Sequence, residues 1–191
     1  MRAPLRRSFY TRPAVEVARD LLGKILVHGE TSGRIVETEA YLGIGDDAAH
    51  SAPGPTPRNR VIFGPPGHVY VYMIYGMYEC LNLVAEPEGT AGCVLIRALE
   101  PLTGLDRMRE RRSVALSNRD LTNGPGKLTR ALGITLRHYG ADATRGPITV
   151  HPDDRAEPIE IGVSRRIGIT KSADLPLRFF AKRSEFLSRP S

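Results

Sequence analysis

Residues 34–51, which read RIVETEAYLGIGDDAAHS, place two carboxylates and a tyrosine at alternate positions. Side chains of a β-strand alternate between two faces, so a strand here puts Glu37, Glu39 and Tyr41 on one face. The residues between them point to the other face and can pack: Val36, Thr38 and Ala40. Two interpretations stay open. An edge strand would leave the carboxylates in solvent, whereas a pocket would combine an acid–base carboxylate, an aromatic wall and the imidazole of His50.

Composition indicates one domain with a core of its own. The chain has 191 residues, of which 41% are hydrophobic. No apolar run approaches the roughly 18 residues of a membrane helix, and the basic N-terminus lacks the apolar region of a signal peptide. We therefore expect a cytoplasmic protein. In that compartment Cys80 and Cys93 are expected to be buried thiols rather than a disulfide.

Charge and tyrosine placement are compatible with a polyanionic partner. The formal net charge is +6, and the pI is about 9.6. Four of the seven tyrosines fall between Tyr70 and Tyr78, and tyrosine can stack on nucleic-acid bases. A stiff loop rich in Pro and Gly at 51–67 carries Arg58 and Arg60, which suit phosphate contacts or solvated surface charge equally well.

Periodicity predicts a chain rich in strands. An apolar stripe from Ala14 to Leu22, followed by Gly23, indicates a helix. Further helices are predicted at 102–113 and 123–134. The segments with strand character are 24–28, 34–41, 68–75, 78–84, 93–99, 148–150 and 158–162, and 164–170 and 177–181 read as strands or tight loops.

Two features of the middle of the chain suggest function. Residues 68–84 read as a hairpin that turns near Gly76, so Tyr75 and Met77 lie at its tip and either insert into a base stack or fold back onto the core. Arg97 interrupts an apolar strand. A buried arginine needs a partner, and Glu37 or Glu39 is the obvious carboxylate.

Two motifs are rejected as they stand. Residues 123–128 (NGPGKL) resemble a P-loop, but Leu121 and Leu128 occupy positions that require Gly and Ser/Thr. Lys127 can still contact a phosphate near a helix start. The spacing of three residues resembles that of metal ligands: Asp46, Asp47 and His50. No further ligands are predicted to lie near them, so we expect no metal and no cofactor.

Taken together, these stretches closely resemble the alkyladenine DNA glycosylase family, the mammalian-type 3-methyladenine DNA glycosylases. The resemblance covers nearly the whole chain in order. Its matching segments are RIVETEAY (34–41), AAHS (48–51), TPRNR (56–60), PPGHVYVYMIYGMYECLN (65–82), CVLIRALEP (93–101), NGPGKL (123–128), RIGI (166–169) and PLRFF (176–180). It implies an α+β fold over residues 1–191, a single mixed domain with a curved, mostly antiparallel sheet, flanking helices and a protruding β-hairpin.

The resemblance also implies a role for each matching site residue. Glu39 corresponds to the carboxylate that activates water, Arg97 to an arginine beside that water, and Ile167 to a backbone carbonyl that helps to hold it. The base would be bound by Tyr41, His50, Tyr72 and Asn82, with Asn82 disfavouring guanine. Tyr75 would fill the space left by the flipped base. Glu37 would have a supporting role.

The implied activity is that of a monofunctional DNA N-glycosylase in base excision repair. It would flip alkylated purines out of double-stranded DNA and hydrolyse the N-glycosidic bond, with deaminated purines as an open extension of its substrate range. Arg58, Arg60 and Lys127 would contact the DNA backbone, and the enzyme would be a bacterial, nucleoid-associated monomer. Two other classes are kept as alternatives: a non-catalytic nucleic-acid-binding module, and a hydrolase of free nucleosides or glycosides.

Overall fold

One sheet, to which all the strands of the described chain belong, dominates the computed structural model, which describes residues 2–153 and 158–189. The strands are β1 (Ile25–His28), β2 (Thr31–Tyr41), β3 (Val69–Ile74), β4 (Tyr78–Val84), β5 (Cys93–Thr103), β6 (Ile148–His151), β7 (Ile161–Ser164) and β8 (Arg178–Ala181). Their order is β3-β4-β5-β2-β1-β6, and β8 pairs with both β2 and β7. Every pairing between these strands is antiparallel.

Strand β2 lies in the interior of the sheet. It pairs with β5 on one side and with β1 and then β8 on the other. Residues 31–40 are all buried. The edge-strand interpretation of this segment is therefore wrong, and the carboxylates of Glu37 and Glu39 are enclosed by neighbouring strands.

A bulge in β2 breaks the predicted alternation at one point. The register between β2 and β5 shifts on both sides of Glu37. Thr38 and Ala40 face inward as predicted, since the Thr38 hydroxyl donates to the Ala18 carbonyl (2.8 Å) and Ala40 lies in the main core. Val36 instead packs in a separate cluster with Phe180. A bulge has this effect because its extra residue re-aims the side chains around it.

The helices are short and pack on the sheet. They are α1 (Arg7–Tyr10), α2 (Ala14–Asp20), α3 (Leu105–Arg111), α4 (Asn118–Thr122) and α5 (Pro125–Leu132), with 3₁₀ turns at Arg60–Phe63 and Leu136–His138. The predicted stripe of α2 is confirmed, because Ala14, Val17 and Ala18 have no exposed surface. Within the described ranges no helix is long and apolar enough to cross a bilayer.

Several predicted boundaries are wrong. The helix predicted to begin at Leu102 begins at Leu105, because β5 continues as far as Thr103 by pairing with β2. Gly104, at φ 74°, turns the chain between the two. The helix predicted at 123–134 begins at Pro125, and a separate helix, α4, precedes it and is capped by Ser117. Of the two interpretations left open for 164–170, the loop is correct for residues 165–170, which form no strand.

The predicted hairpin is confirmed. Strands β3 and β4 pair from Val69↔Leu83 to Ile74↔Tyr78, and the Met77 amide donates to the Ile74 carbonyl (3.2 Å). Tyr75 and Gly76 both have left-handed backbone angles, φ 54° and 67°, the combination that type I′ hairpin turns require. The side chain of Tyr75 is 79% exposed. The tip therefore projects from the protein and does not fold back onto the core.

Candidate active site

Glu39 lies at the centre of the site. Its side chain has no exposed surface. The Ile167 amide donates to Oε1 (2.7 Å), the Tyr41 hydroxyl donates to Oε2 (3.0 Å), and Arg97 Nη1 lies 3.2 Å from Oε2. Burial raises the pKa of Glu39, and these three groups act in the opposite direction. The result is an oriented carboxylate whose proton affinity exceeds that of an ordinary glutamate.

Glu37 is buried beside it but has different partners. Arg97 Nε (3.1 Å) and Arg178 Nε (2.7 Å) both donate to Oε1. The Ser188 hydroxyl donates to the same oxygen (2.8 Å), and the Ser188 amide donates to Oε2 (2.7 Å). These contacts fix Glu37 as a clamp between strands and the C-terminal segment, and the supporting role expected for it in the reaction stays a prediction.

Arg97 bridges the two carboxylates. It is 7% exposed and contacts Glu37 through Nε and Glu39 through Nη1. The prediction that this arginine pairs with one of the two glutamates is confirmed, and the structure shows that it pairs with both. Its charge is thereby held next to the carboxylate that is proposed to act as the base.

Aromatic residues lie next to these charges. The rings of His50 and Tyr72 meet edge to face at 4.5 Å, and His50 Nδ1 lies 2.9 Å from the Tyr70 hydroxyl. Tyr41, at the end of β2, packs against the same cluster of side chains as Tyr72, and its hydroxyl donates to Glu39. Burial lowers the pKa of His50, and the charge of Arg58 lowers it further. His50 is therefore neutral near pH 7.

Two predicted site residues make contacts that the sequence did not indicate. The Asn82 amide donates to the Tyr70 carbonyl (3.2 Å) and accepts from the Cys93 thiol (3.9 Å), so its side chain is fixed inside the sheet. Ile167 reaches Glu39 through its N–H. The roles predicted for the Ile167 carbonyl and for Asn82 as a filter against guanine stay predictions.

The predicted DNA-contacting residues lie at the surface. Arg58 and Arg60 are exposed on the loop before β3, and the Arg58 guanidinium lies 5.6 Å from the centre of the Tyr72 ring. Lys127 is half-buried and donates to Asn123 Oδ1 (2.7 Å), so part of its hydrogen-bonding capacity is already used. Cys80 and Cys93 are free and buried, as predicted.

Sequence reasoning missed two arginines. Arg178 binds Glu37, and Arg166 binds Asp46 with both side chains fully enclosed. Asp46 is thus the partner of an arginine. Among the residues that the structure describes, no group of three His, Cys, Asp or Glu side chains is placed to hold a metal ion. A signal was present, since each arginine stands in a matching segment, RIGI or PLRFF.

A family model described as "Methylpurine-DNA glycosylase (MPG)" matches residues 8–185. The chain belongs to this family. A protein of Methanoculleus marisnigri is 53% identical over 188 residues, which span 95% of this chain and 97% of the relative. A protein of Bradyrhizobium diazoefficiens is 50% identical over 187 residues, or 98% and 92% of the two chains. Both relatives are named as candidate 3-methyladenine DNA glycosylases.

Membership of the methylpurine-DNA glycosylase family and the structure together confirm three predictions. The resemblance drawn from the sequence is correct, and the fold is the predicted α+β domain built on a curled antiparallel sheet. The activity class is that of a DNA N-glycosylase, a hydrolase of DNA repair. The roles of individual residues in that activity are proposals.

Proposed function

We propose that this methylpurine-DNA glycosylase removes alkylated purines from double-stranded DNA, with Glu39 as the base that activates water. The arrangement of Glu39 carries the proposal: a fully buried carboxylate, oriented by Arg97, Tyr41 and the Ile167 amide, next to an aromatic cluster. Glu37 and Asp46 show that a buried carboxylate can be purely structural, but their charges are fully paired. Glu39 is buried with a raised pKa, and a protein that only bound DNA would have no use for a carboxylate left in that state.

The damaged nucleotide would have to leave the base stack to reach Glu39. Extrusion costs a few kcal/mol, and it costs least for a damaged base. Tyr75, which is exposed at the tip of a hairpin, would fill the space that the base leaves. Arg58, Arg60 and Lys127 would hold the phosphates on either side.

The extruded purine would stack against Tyr41 and Tyr72 and contact His50. N3- and N7-alkylated purines carry positive charge, and an aromatic face attracts a cation by about 0.5–2 kcal/mol. The lowered pKa of His50 supports this assignment, because a neutral imidazole does not repel a cationic base. Asn82 would then select against normal guanine.

Hydrolysis would follow from the position of Glu39. As the bond between C1′ and the purine nitrogen breaks, its electron pair leaves with the base and positive charge develops on the sugar. Glu39 stabilises this charge and accepts a proton from water, whose oxygen bonds to C1′. Such general-base assistance is worth about 10²–10⁴-fold. One chain carries all the proposed groups, so the enzyme would act as a monomer in the compartment that holds the chromosome.

The test is release of free base from a duplex that carries one hypoxanthine or one 3-methyladenine. We expect release by the wild type, loss of release with retained DNA binding in Glu39→Gln, and normal release in Glu30→Gln. The last variant is a matched control, because Glu30 undergoes the same chemical change at an exposed position.

Two outcomes would contradict the proposal. Wild-type binding without base release would favour a non-catalytic binding module. Release from free nucleosides at the rate seen with duplex DNA would favour a nucleoside hydrolase.

A further inference from the structure

A buried ion pair lies behind Tyr41, and the proposed chemistry does not use it. Arg166 and Asp46 have no exposed side-chain surface. Arg166 Nη1 and Nη2 each donate to a different carboxylate oxygen of Asp46, both at 2.6 Å. Two parallel hydrogen bonds of this kind fix the orientation of both side chains, and arginine makes them where lysine cannot.

The same guanidinium contacts Tyr41 and the backbone around it. Its central carbon lies 4.6 Å from the centre of the Tyr41 ring. It donates to the Ala40 carbonyl (3.1 Å) and to the Ser172 carbonyl (3.3 Å). One side chain therefore supports the ring proposed to stack on the base and ties the end of β2 to the loop at 166–172.

Asp46 organises the other side of this contact. It accepts from the amides of Leu42 (3.1 Å) and Ala48 (3.2 Å), so the loop between Tyr41 and His50 folds around its carboxylate. Burial of Asp46 acts to raise its pKa, but the hydrogen bonds from Arg166 and the two amides outweigh it and lower the pKa. Asp46 is thus ionised at neutral pH and holds the loop that leads to His50.

The position of Arg166 in the chain links this pair to Glu39. Arg166 directly precedes Ile167, whose amide donates to Glu39 Oε1 at 2.7 Å. Because neighbouring residues share a rigid peptide unit, the anchoring of Arg166 also limits where the Ile167 N–H can lie.

Stability alone does not account for the pair. A buried ion pair is weak evidence for stability, since the loss of hydration offsets the attraction. Arg166 Nε is also buried and has no hydrogen-bond partner among the residues that the structure describes, which adds a further cost. Because burying the Arg166–Asp46 pair costs free energy, we explain it by the positions that it imposes on Tyr41 and Ile167.

We propose that Arg166, held by Asp46, is a positioning residue that keeps the Tyr41 ring and the Ile167 amide in the places that base excision requires. The inference rests on the proposed function. It assigns to Arg166 no contact with the substrate: the residue acts through the two groups that it supports.

The test compares Arg166→Lys with the wild type in single-turnover release of 3-methyladenine from duplex DNA over a range of pH. Lysine keeps the charge but loses the paired hydrogen bonds and the planar contact with Tyr41. We expect the plateau rate to fall by about 10- to 100-fold, since small misplacements of reacting groups have effects of this size. Asp46→Asn is expected to act in the same direction.

The pH profile separates positioning from general loss of structure. The groups that face Glu39 are Arg97 from β5, Glu37 and Tyr41 from β2, the Cys80 thiol from β4 and the Ile167 amide. A weaker Ile167 hydrogen bond raises the pKa of Glu39 because that bond favours the ionised form. The acidic fall in rate is therefore expected to move to higher pH in Arg166→Lys.

Two controls accompany these variants. Arg165→Lys makes the same chemical change at the adjacent residue, which is exposed and pairs with Asp174, and it should leave rate and profile unchanged. Met108→Ala removes buried volume from α3, and it should lower the melting temperature without moving the profile.

The possible results are distinct. A wild-type rate and profile in Arg166→Lys, or a rate loss that only follows the folded fraction as in Met108→Ala, overturns the inference and leaves the proposed function standing. Absence of base release by the wild type overturns both.

Discussion

Glu37 and Glu39 leave the same strand two residues apart, and their partners give them different chemistry. Glu37 accepts from two arginines and from both polar groups of Ser188. Glu39 accepts from a tyrosine hydroxyl and a backbone amide, with one arginine nearby. The charge of Glu37 is fully paired, as expected of a structural anchor. Glu39 has fewer charged partners and so keeps the proton affinity that a general base needs.

At the residue scale, the rate of base release is expected to fall on acidification at a pH above the ordinary pKa of glutamate. Burial raises the pKa of Glu39, and only the ionised form can accept a proton from water. As the pH falls through the raised pKa, the active form is lost. Single-turnover rates measured across the acidic range check this, with DNA affinity measured at each pH as the control. A full rate at about pH 4 would count against Glu39 as the base.

At the element scale, the β3–β4 hairpin holds a tyrosine in a backbone conformation that tyrosine disfavours. A left-handed residue other than glycine costs roughly 1–2 kcal/mol, and such strain concentrates at functional sites. Tyr75 takes this conformation at φ 54° while its side chain is 79% exposed. The backbone strain at Tyr75 is therefore not offset by packing of its side chain within the protein. This is consistent with a side chain that contacts a binding partner.

Tyr75→Gly is accordingly expected to leave the melting temperature unchanged or slightly raised while base excision falls. Glycine relieves the backbone strain, but it cannot occupy the space of a flipped base. Calorimetry and single-turnover excision measure the two effects, and Tyr75→Phe, which keeps the ring, should retain most of the activity. A stable Tyr75→Gly protein with wild-type excision would show that the hairpin tip is not inserted into DNA.

At the scale of the whole molecule, Glu37 joins parts of the chain that are far apart in sequence. It connects β2 to β5, to β8 and to Ser188. Glu37→Gln is expected to lower stability by about 3–5 kcal/mol, because a neutral amide leaves two buried guanidinium groups undercompensated. For a chain of this size the melting temperature should fall by roughly 6–20 °C.

Glu39→Gln is the comparison for that measurement. The raised pKa of Glu39 means that folding disfavours its ionised form, so a neutral residue at this position should cost much less stability at pH 7. Calorimetry of Glu37→Gln and Glu39→Gln at pH 7 measures the two losses of stability. Equal falls in melting temperature would show that the two carboxylates do not differ in the way that their partners indicate.

The features that the sequence did not predict depend on which distant parts of the chain come into contact. The pairing of Arg97 with the glutamates was predictable, because a charge inside an apolar strand needs a carboxylate and the two glutamates stand on a neighbouring strand. The pairing of Arg166 with Asp46 spans 120 residues, and neither residue stands in an apolar strand that would reveal its burial. The bulge at Val36 and the extension of β5 to Thr103 depend on how two strands pair, which periodicity within one strand does not report.

The hydrogen bonds between Glu37 and Ser188 join residues 151 positions apart. Until these two parts of the chain meet, the clamp that holds Arg97 beside Glu39 is incomplete. A partly folded chain emerging from the ribosome thus lacks an assembled site. Under the proposed function, removal of bases from DNA would therefore require that these two distant parts of the chain have met, and a partly folded molecule would not excise bases.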